Sequence, residues 1–245
     1  MPKYLFLFLL FHSALCANKS SFSFIVFWNV GQGQWITAIN PDQCLHYDFG
    51  GELKFWPKNK NLLLQLCKNK QNILHLSHPD LDHYALYPLL VKTLPKLCWN
   101  DIDHAALPLK RVPKKISLCA PENKKLTESK RLYKPTVFSN KNESSQVYHY
   151  KSVLIPGDSS QKQEKIWAKT IKKPEGFKFL SLGHHGSRTS SSDVLLTKLS
   201  HLKMAVVQAR KSRFNHPHKE TVQRLKKYHI PLLRTEDWGN TVILF

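Results

Sequence analysis

The sequence predicts an α/β (α+β) domain in which sheets are covered by helices. Two observations carry this. Short β-branched and aromatic runs closed by Gly, Pro and Asn turns fill residues 22–51, and strands alternate with helices from residue 177 to the end. The whole chain of 245 residues shows no linker, internal repeat or low-complexity tract. It is long enough for one large domain with a real core, or two small ones. Residues 1–17 are expected to form a leader and 18–245 a single domain.

Residues 22–30 are the first strand, stopped by the Gly31-Gln32-Gly33 turn. Residues 35–39 and 44–49 are two further strands, with Asn40-Pro41-Asp42 turning between them and Gly50-Gly51 closing the unit. Residues 61–68 have helical spacing, and 72–76 form a short apolar strand. Pro79 marks a loop, after which 81–93 is expected to be a helix. Residues 100–144 are rich in Lys and turn formers and give no clear element. A strand over 147–155 ends at Pro156-Gly157-Asp158, and a helix follows over 161–171. Strands at 177–182, 204–209, 232–235 and 241–245 then alternate with helices at 192–199 and 219–228.

Charge narrows the partners. Lys and Arg number 37 against 17 Asp and Glu, a formal +20, with a pI near 9.8. Such a field attracts polyanions, although it also serves solubility. At the N-terminus Lys3 precedes an apolar run over 4–11, and small residues lead to a polar stretch from Asn18. This is the pattern of a secretory leader, too short to span a bilayer, with cleavage near Cys16 or Ala17. The expectation is an exported protein, periplasmic or secreted, with no stable membrane anchor once the leader is gone. Cys44, Cys67, Cys98 and Cys119 then remain. They allow three disulfide pairings, or free buried thiols, and their spacing does not suit a cysteine–zinc site.

The densest chemical signal is His78-Pro79-Asp80-Leu81-Asp82-His83, placed between a strand and a helix. A loop leaving a strand can aim His78 and Asp80 to one side, while Asp82 and His83 at a helix start point to another. Four N/O donors in six residues suit one or two divalent cations with positions left for water. Gly157-Asp158 ends an apolar strand, where a carboxylate can bridge two ions; alone it is an ordinary turn. His184-His185-Gly186-Ser187 follows another strand, its glycines permitting close backbone approach. His216-Pro217-His218 follows the next, as ligand or as substrate contact. The Gly31/Gly33 turn and Asp48 at the end of the third strand are unremarkable singly, and neither glycine segment is a nucleotide-binding GxGxxG.

In this order the motifs closely resemble the metallo-β-lactamase superfamily, and in detail the soluble nuclease-like domain of ComEC-type competence (DNA-uptake) proteins. Asn29-Val30-Gly31-Gln32-Gly33-Gln34 is similar to the family's D-V-G-Q-G-D opening, and Asp48-Phe49-Gly50 to its Asp-Gly turn. His78, Asp80, Asp82 and His83 match H-x-D-x-D-H in full. Asn142 and Ser145 match an Asn-x-x-Ser stretch, Gly157-Asp158 the Gly-Asp motif with Glu164 as the acidic residue after it, and His184 to Ser187 the H-H-G-S motif. The likeness covers residues 24–245. The chain departs from the family at Asn29 and Gln34, both Asp there, and at Tyr84-Ala85-Leu86, where Ile-Gly-Gly is usual. The superfamily's third-motif histidine has no clear counterpart, with His104 and His149 the conceivable ones.

The resemblance implies a four-layer αβ/βα sandwich with its site where the sheet edges meet, and metal-assisted hydrolysis. His78 and Asp80 would hold one cation; Asp82, His83 and either His184 or His185 the other; Asp158 would bridge. Asp82 and His83 are the expected catalytic pair, Asp82 orienting or deprotonating the water. Zn²⁺ and Mn²⁺ both fit, oxygen-rich ligation leaning toward Mn²⁺. Ser187, Arg188, Lys211, Arg213, His216 and His218 are candidate substrate contacts, with Asp48, Asn142 and Ser145 supporting the site. The fold does not choose the substrate. The positive charge favours a nucleic-acid backbone, DNA before RNA. Two other classes stay open: a hydrolase of a small ester, lactone or β-lactam, and a non-catalytic DNA-binding module. No protein partner is inferable.

Overall fold

Alternation along β1 (Phe24–Phe27) sets up the layers. Ile25 and Phe27 enter a core shared with Tyr148, Tyr150 and Ile155, while Val26 enters another with Leu63 and Leu90. Successive strand side chains point to opposite faces, so one strand serves both cores. In β8 (Val153–Ile155) the same rule sends Val153 and Ile155 into the shared core and Leu154 toward Trp167 and Leu196. The computed structural model describes residues 22–100, 116–120 and 129–245. The expected leader and His104 lie outside these.

The first sheet also contains β2 (Ile36–Ile39), β3 (Gln43–Tyr47), β4 (Gln71–His75), β5 (Leu97–Trp99) and β12 (Thr241–Leu244), in the order β12-β1-β2-β3-β4-β5. The second contains β6 (Ser129–Tyr133), β7 (Val147–Tyr150), β8, β9 (Phe179–Ser181), β10 (Met204–Val207) and β11 (Leu232–Arg234), in the order β11-β10-β9-β8-β7-β6. Each sheet is antiparallel on one side and parallel on the other: β3–β4–β5 in the first, β8–β9–β10–β11 in the second. The shared core lies between the sheets. The helices α1 (Trp56–Cys67), α2 (Leu81–Tyr84) and α3 (Tyr87–Thr93) cover the first sheet. On the outer side of the second, α4 (Gln161–Trp167), α5 (Asp193–Lys198) and α7 (Lys219–Lys227) supply Trp167, Leu195, Leu196 and Leu225 to its core. The layers run helix, sheet, sheet, helix. Among the described residues no helix is long and apolar enough to cross a membrane.

Several elements differ from the sequence expectation. The helix expected over 81–93 is two, α2 and α3. Pro88 has no N–H to continue the first ladder, and the Leu86 N–H bonds instead to the Phe49 carbonyl at 3.0 Å. The strand expected over 147–155 is the hairpin β7–β8, with Lys151 in the left-handed region at its turn (φ 47°). β5, β6 and the short helices α6 (Lys211–Phe214) and α8 (Thr235–Trp238) had no legible signal. The cysteines pair as Cys44–Cys67, tying α1 to β3, and as Cys98–Cys119, tying residues 116–120 to β5. They are therefore not free thiols.

Candidate metal centre

The parallel halves of the two sheets deliver their polar residues to one place. Asp48 follows β3, His78 follows β4, Asp158 follows β8, and His184 and His185 follow β9. Parallel neighbours end on the same side, which makes the carboxyl ends of such strands the natural ligand crevice. Asp80 is the N-cap residue of α2; Asp82 and His83 lie inside it. The glycine turns that looked unremarkable press on this loop. A β-carbon on Gly50 would fall 1.6 Å from the Asp82 carbonyl oxygen, so only glycine lets the two backbones approach. The same carbonyl accepts from the Gln34 N–H at 3.0 Å, and the Phe49 N–H donates to the His83 carbonyl at 2.8 Å.

The donor atoms converge tightly. His83 Nε2 lies 3.1 Å from Asp158 Oδ1 and 3.2 Å from His185 Nε2. His185 Nε2 is 3.3 Å from Asp82 Oδ2. His78 Nε2 sits 3.6 Å from Asp80 Oδ2 and 3.7 Å from Asp158 Oδ2, and His184 Nε2 is 3.4 Å from Asp158 Oδ2. Asp158 thus stands between all four imidazoles. Two groups of atoms are spaced to hold an ion: His78, His83 and Asp158, and Asp82, His83 and His185. One of these donors, His78 Nε2, is buried without a hydrogen-bond partner, its nearest carboxylate oxygens lying at 3.6 and 3.7 Å. An orphaned buried donor of this kind asks for an explanation, and a cation supplies one. The residues present therefore fit one or two divalent ions.

A surrounding set of groups orients the donors. Asp48 Oδ2 lies 2.7 Å from His83 Nδ1 and also accepts from Gln34 Nε2 at 2.7 Å and Ser77 Oγ at 2.8 Å. Its other oxygen accepts from the Ser77 N–H at 2.6 Å. His185 Nδ1 is 3.1 Å from the Gln208 carbonyl, and the Asp158 N–H donates to Ser145 Oγ at 3.0 Å. A ring whose Nδ1–H is committed to an oxygen offers its Nε2 lone pair. Lys141 Nζ is 3.3 Å from Asp80 Oδ1, and Asn142 Nδ2 is 3.1 Å from His184 Nε2.

Electrostatics favour charge separation here. Burial pushes the Asp158 carboxyl up, but the His83 and His185 imidazoles outweigh it and hold it well below the usual carboxylate range. Burial likewise opposes a charged His83, yet the Asp158 and Asp48 carboxylates hold its pKa well above the ordinary value. A divalent ion would take the place of those protons. His216 goes the other way, lowered to about 4 mainly by burial and then by the neighbouring His185 and His184.

Backbone strain is concentrated at the same point. Asp48, His184 and His185 have φ of 56°, 48° and 52°, and Gly186 follows at 81°. Residues other than glycine rarely occupy this region without being held there. The holding bonds run from the His184 N–H to the Gly157 carbonyl, and from the His218 N–H to that of Gly186. Glu164 secures the next turn, accepting from the Ser191 and Ser192 N–H groups at 2.6 and 2.7 Å.

Of the residues singled out in the sequence, His78, Asp80, Asp82, His83, Asp158, His184 and His185 come together, with Asp48, Asn142 and Ser145 beside them. The His216 ring centroid is 6.2 Å from that of His184. The others have local partners. Ser187 Oγ pairs with Thr189 Oγ1, and His218 caps α7 by accepting from the Glu220 N–H. Arg188, Lys211 and Arg213 are exposed. His149 lies in β7 with its ring edge-on to Phe177, away from the cluster. Sequence reading missed Ser77, Lys141 and Gln208. Only Ser77 had a signal, its place beside His78 at the strand end.

No family model matches the chain. It is 33% identical over 94 residues to Recombination protein 2 of Haemophilus influenzae, across 38% of this chain and 12% of that protein. It is 38% identical over 61 residues to ComE operon protein 3 of Bacillus subtilis, across 24% and 8%. The matches thus span a small fraction of these curated relatives. They agree with the ComEC-type resemblance of the motifs. Among solved structures, the metallo-beta-lactamase fold protein YhfI from Bacillus subtilis superposes with a TM-score of 0.57 at 13% identity, over 91% of this chain and all (100%) of the other. A diphosphatase from the PhnP family gives 0.57 at 12% identity, over 91% and 98%. At such identities the likeness is one of architecture: the chain has the metallo-β-lactamase fold.

Proposed function

We propose that this protein is an exported, metal-dependent phosphodiesterase acting on nucleic acid, DNA in preference to RNA. The carrying observation is the convergence of four histidines on Asp158, with Asp80 and Asp82 at the rim. Bound Zn²⁺ or Mn²⁺ would acidify water and polarise a phosphoryl oxygen. His78, Asp80 and Asp158 would hold one ion, and Asp82, His83, His185 and Asp158 the other. Asp48 keeps the His83 Nδ1 proton in place so that Nε2 faces the centre. Asp82, less buried than Asp158, would orient the attacking water. His184, 3.4 Å from Asp158 Oδ2, and Asn142 beside it flank the first position. Ser187, Arg188, Lys211, Arg213, His216 and His218 remain the proposed substrate contacts.

The formal charge of +20 supports a polyanionic substrate, and the competence-type relatives support DNA. Two disulfides and the apolar N-terminal run support an oxidising, exported location. The test is cleavage of plasmid DNA by the purified protein in Mn²⁺, in Zn²⁺ and in chelator, with Asp82→Ala alongside. Cleavage that needs the metal and Asp82 is expected. Hydrolysis of small esters with DNA left intact would turn the assignment to the small-ester class.

A further inference from the structure

Three large apolar side chains from distant parts of the chain meet at solvent in one cleft. Leu53 is 63% exposed, Leu81 48% and Phe214 55%. The cleft has a volume of about 610 Å³, and Asp82 forms part of its wall. Singly exposed apolar residues are ordinary, but their convergence in a concavity beside a catalytic centre marks a binding surface. Whatever fills this cleft lies against the metal-binding loop, since Leu81 immediately precedes Asp82.

The polar groups of the cleft narrow the occupant. Glu52 is a fixed acceptor: Arg210 Nε donates to its Oε1 at 2.7 Å and the Gln32 N–H at 3.0 Å. Arg213 lies with its guanidinium carbon 5.4 Å from the Phe214 ring centroid, at the same wall. Lys54 also lines the cleft, its Nζ 3.5 Å from Glu52 Oε2. An apolar floor, one aromatic face, a held carboxylate and two cations together suit a flat heteroaromatic ring that bears N–H donors and is joined to an anion. A nucleobase attached to its phosphate has that chemistry, and the volume lies within the roughly 300–1,000 Å³ of ligand pockets.

We infer that the cleft receives a nucleobase next to the scissile phosphodiester, with Phe214 as its stacking face. This rests on the phosphodiesterase reading and narrows it. A base inside a duplex is already stacked on both faces, so the favoured substrate is single-stranded or has an unpaired end.

The test uses the full chain and a labelled mixed-sequence decanucleotide, with two controls: the same strand carrying abasic tetrahydrofuran residues, and the blunt duplex. Affinity is read first by anisotropy in chelator, so that no strand is cut; cleavage is read second, in Mn²⁺. Base–aromatic stacking predicts that the ordinary strand binds roughly tenfold tighter than the abasic one. Phe214→Ala should remove that difference without weakening the abasic strand, and Phe214→Tyr should restore it. Equal affinity for ordinary and abasic strands, or an unaltered Phe214→Ala variant, overturns the inference. So does tighter binding of fatty-acid micelles than of the strand, which would make the cleft an acyl site. Base-dependent binding without Mn²⁺-dependent cleavage would support the cleft and remove the phosphodiesterase reading. Cleavage indifferent to bases would do the reverse.

Discussion

Asp48 Oδ2 lies 2.7 Å from His83 Nδ1, and that contact settles which nitrogen of the imidazole faces the other donors. Asp48 is fully buried, accepts from Gln34 and Ser77 as well, and sits at a φ of 56°. Asp48→Asn keeps a residue type that tolerates the left-handed region, so the turn survives. The amide cannot hold the imidazole proton as a carboxylate does. Metal affinity, measured by titration into chelator-stripped protein, should fall about 10–100-fold with the circular-dichroism spectrum unchanged. Unaltered affinity would show that the contact does not orient the ligand.

Metal should also report on stability. An ion that binds only the folded state stabilises it by roughly 2.7 kcal/mol at a free concentration of 100 Kd. The melting temperature should therefore rise on adding Mn²⁺ or Zn²⁺ and fall back in chelator. Asp158→Ala removes the carboxylate between the four imidazoles and should abolish the rise. Persistence of the full shift in that variant would place the ion elsewhere.

The two disulfides close loops with sequence separations of 23 and 21 residues. Loop-closure entropy alone assigns each about 3 kcal/mol of stability. Cys44→Ala/Cys67→Ala loosens α1 from β3, and Cys98→Ala/Cys119→Ala releases residues 116–120 from β5. Each pair of substitutions should lower the urea midpoint. Non-reducing peptide mapping should recover the peptides linked as Cys44–Cys67 and Cys98–Cys119, and any other pairing would contradict the topology.

His46 should make the fold acid-sensitive. It is buried in β3, with Thr37 Oγ1 3.0 Å from Nδ1 and Asn72 Oδ1 3.2 Å from Nε2. Burial lowers its pKa from 6.5 to about 4, with the Asn72 contact opposing. The unfolded chain binds the proton below about 6.5 and the folded one only near 4. Between those values the unfolded state carries more protons, so stability falls as pH falls. The loss amounts to roughly 3 kcal/mol across the window. Urea unfolding in chelator at neutral and acid pH should show it, and His46→Gln should flatten the slope relative to the parent. Parallel slopes would mean that His46 does not carry the effect.

The sequence by itself determined the elements whose signal is local. Periodicity and turn residues marked β1 to β4 and the alternating C-terminal third, because β-branched runs, Gly and Pro act within a few residues. His78, Asp80, Asp82 and His83 were legible as a metal motif because four donors lie in six positions. Other features depended on where distant segments meet. Gly50 acquires its role only because the Asp82 backbone arrives against it, and Asp48 only because β3 pairs parallel with β4 and brings it to His83. The pairing of four cysteines, the break between α2 and α3 at the Phe49 carbonyl, and the gathering of Leu53, Leu81 and Phe214 are of the same kind. Tertiary structure decided them because each is a contact between residues far apart in the chain, and no local propensity encodes such a contact.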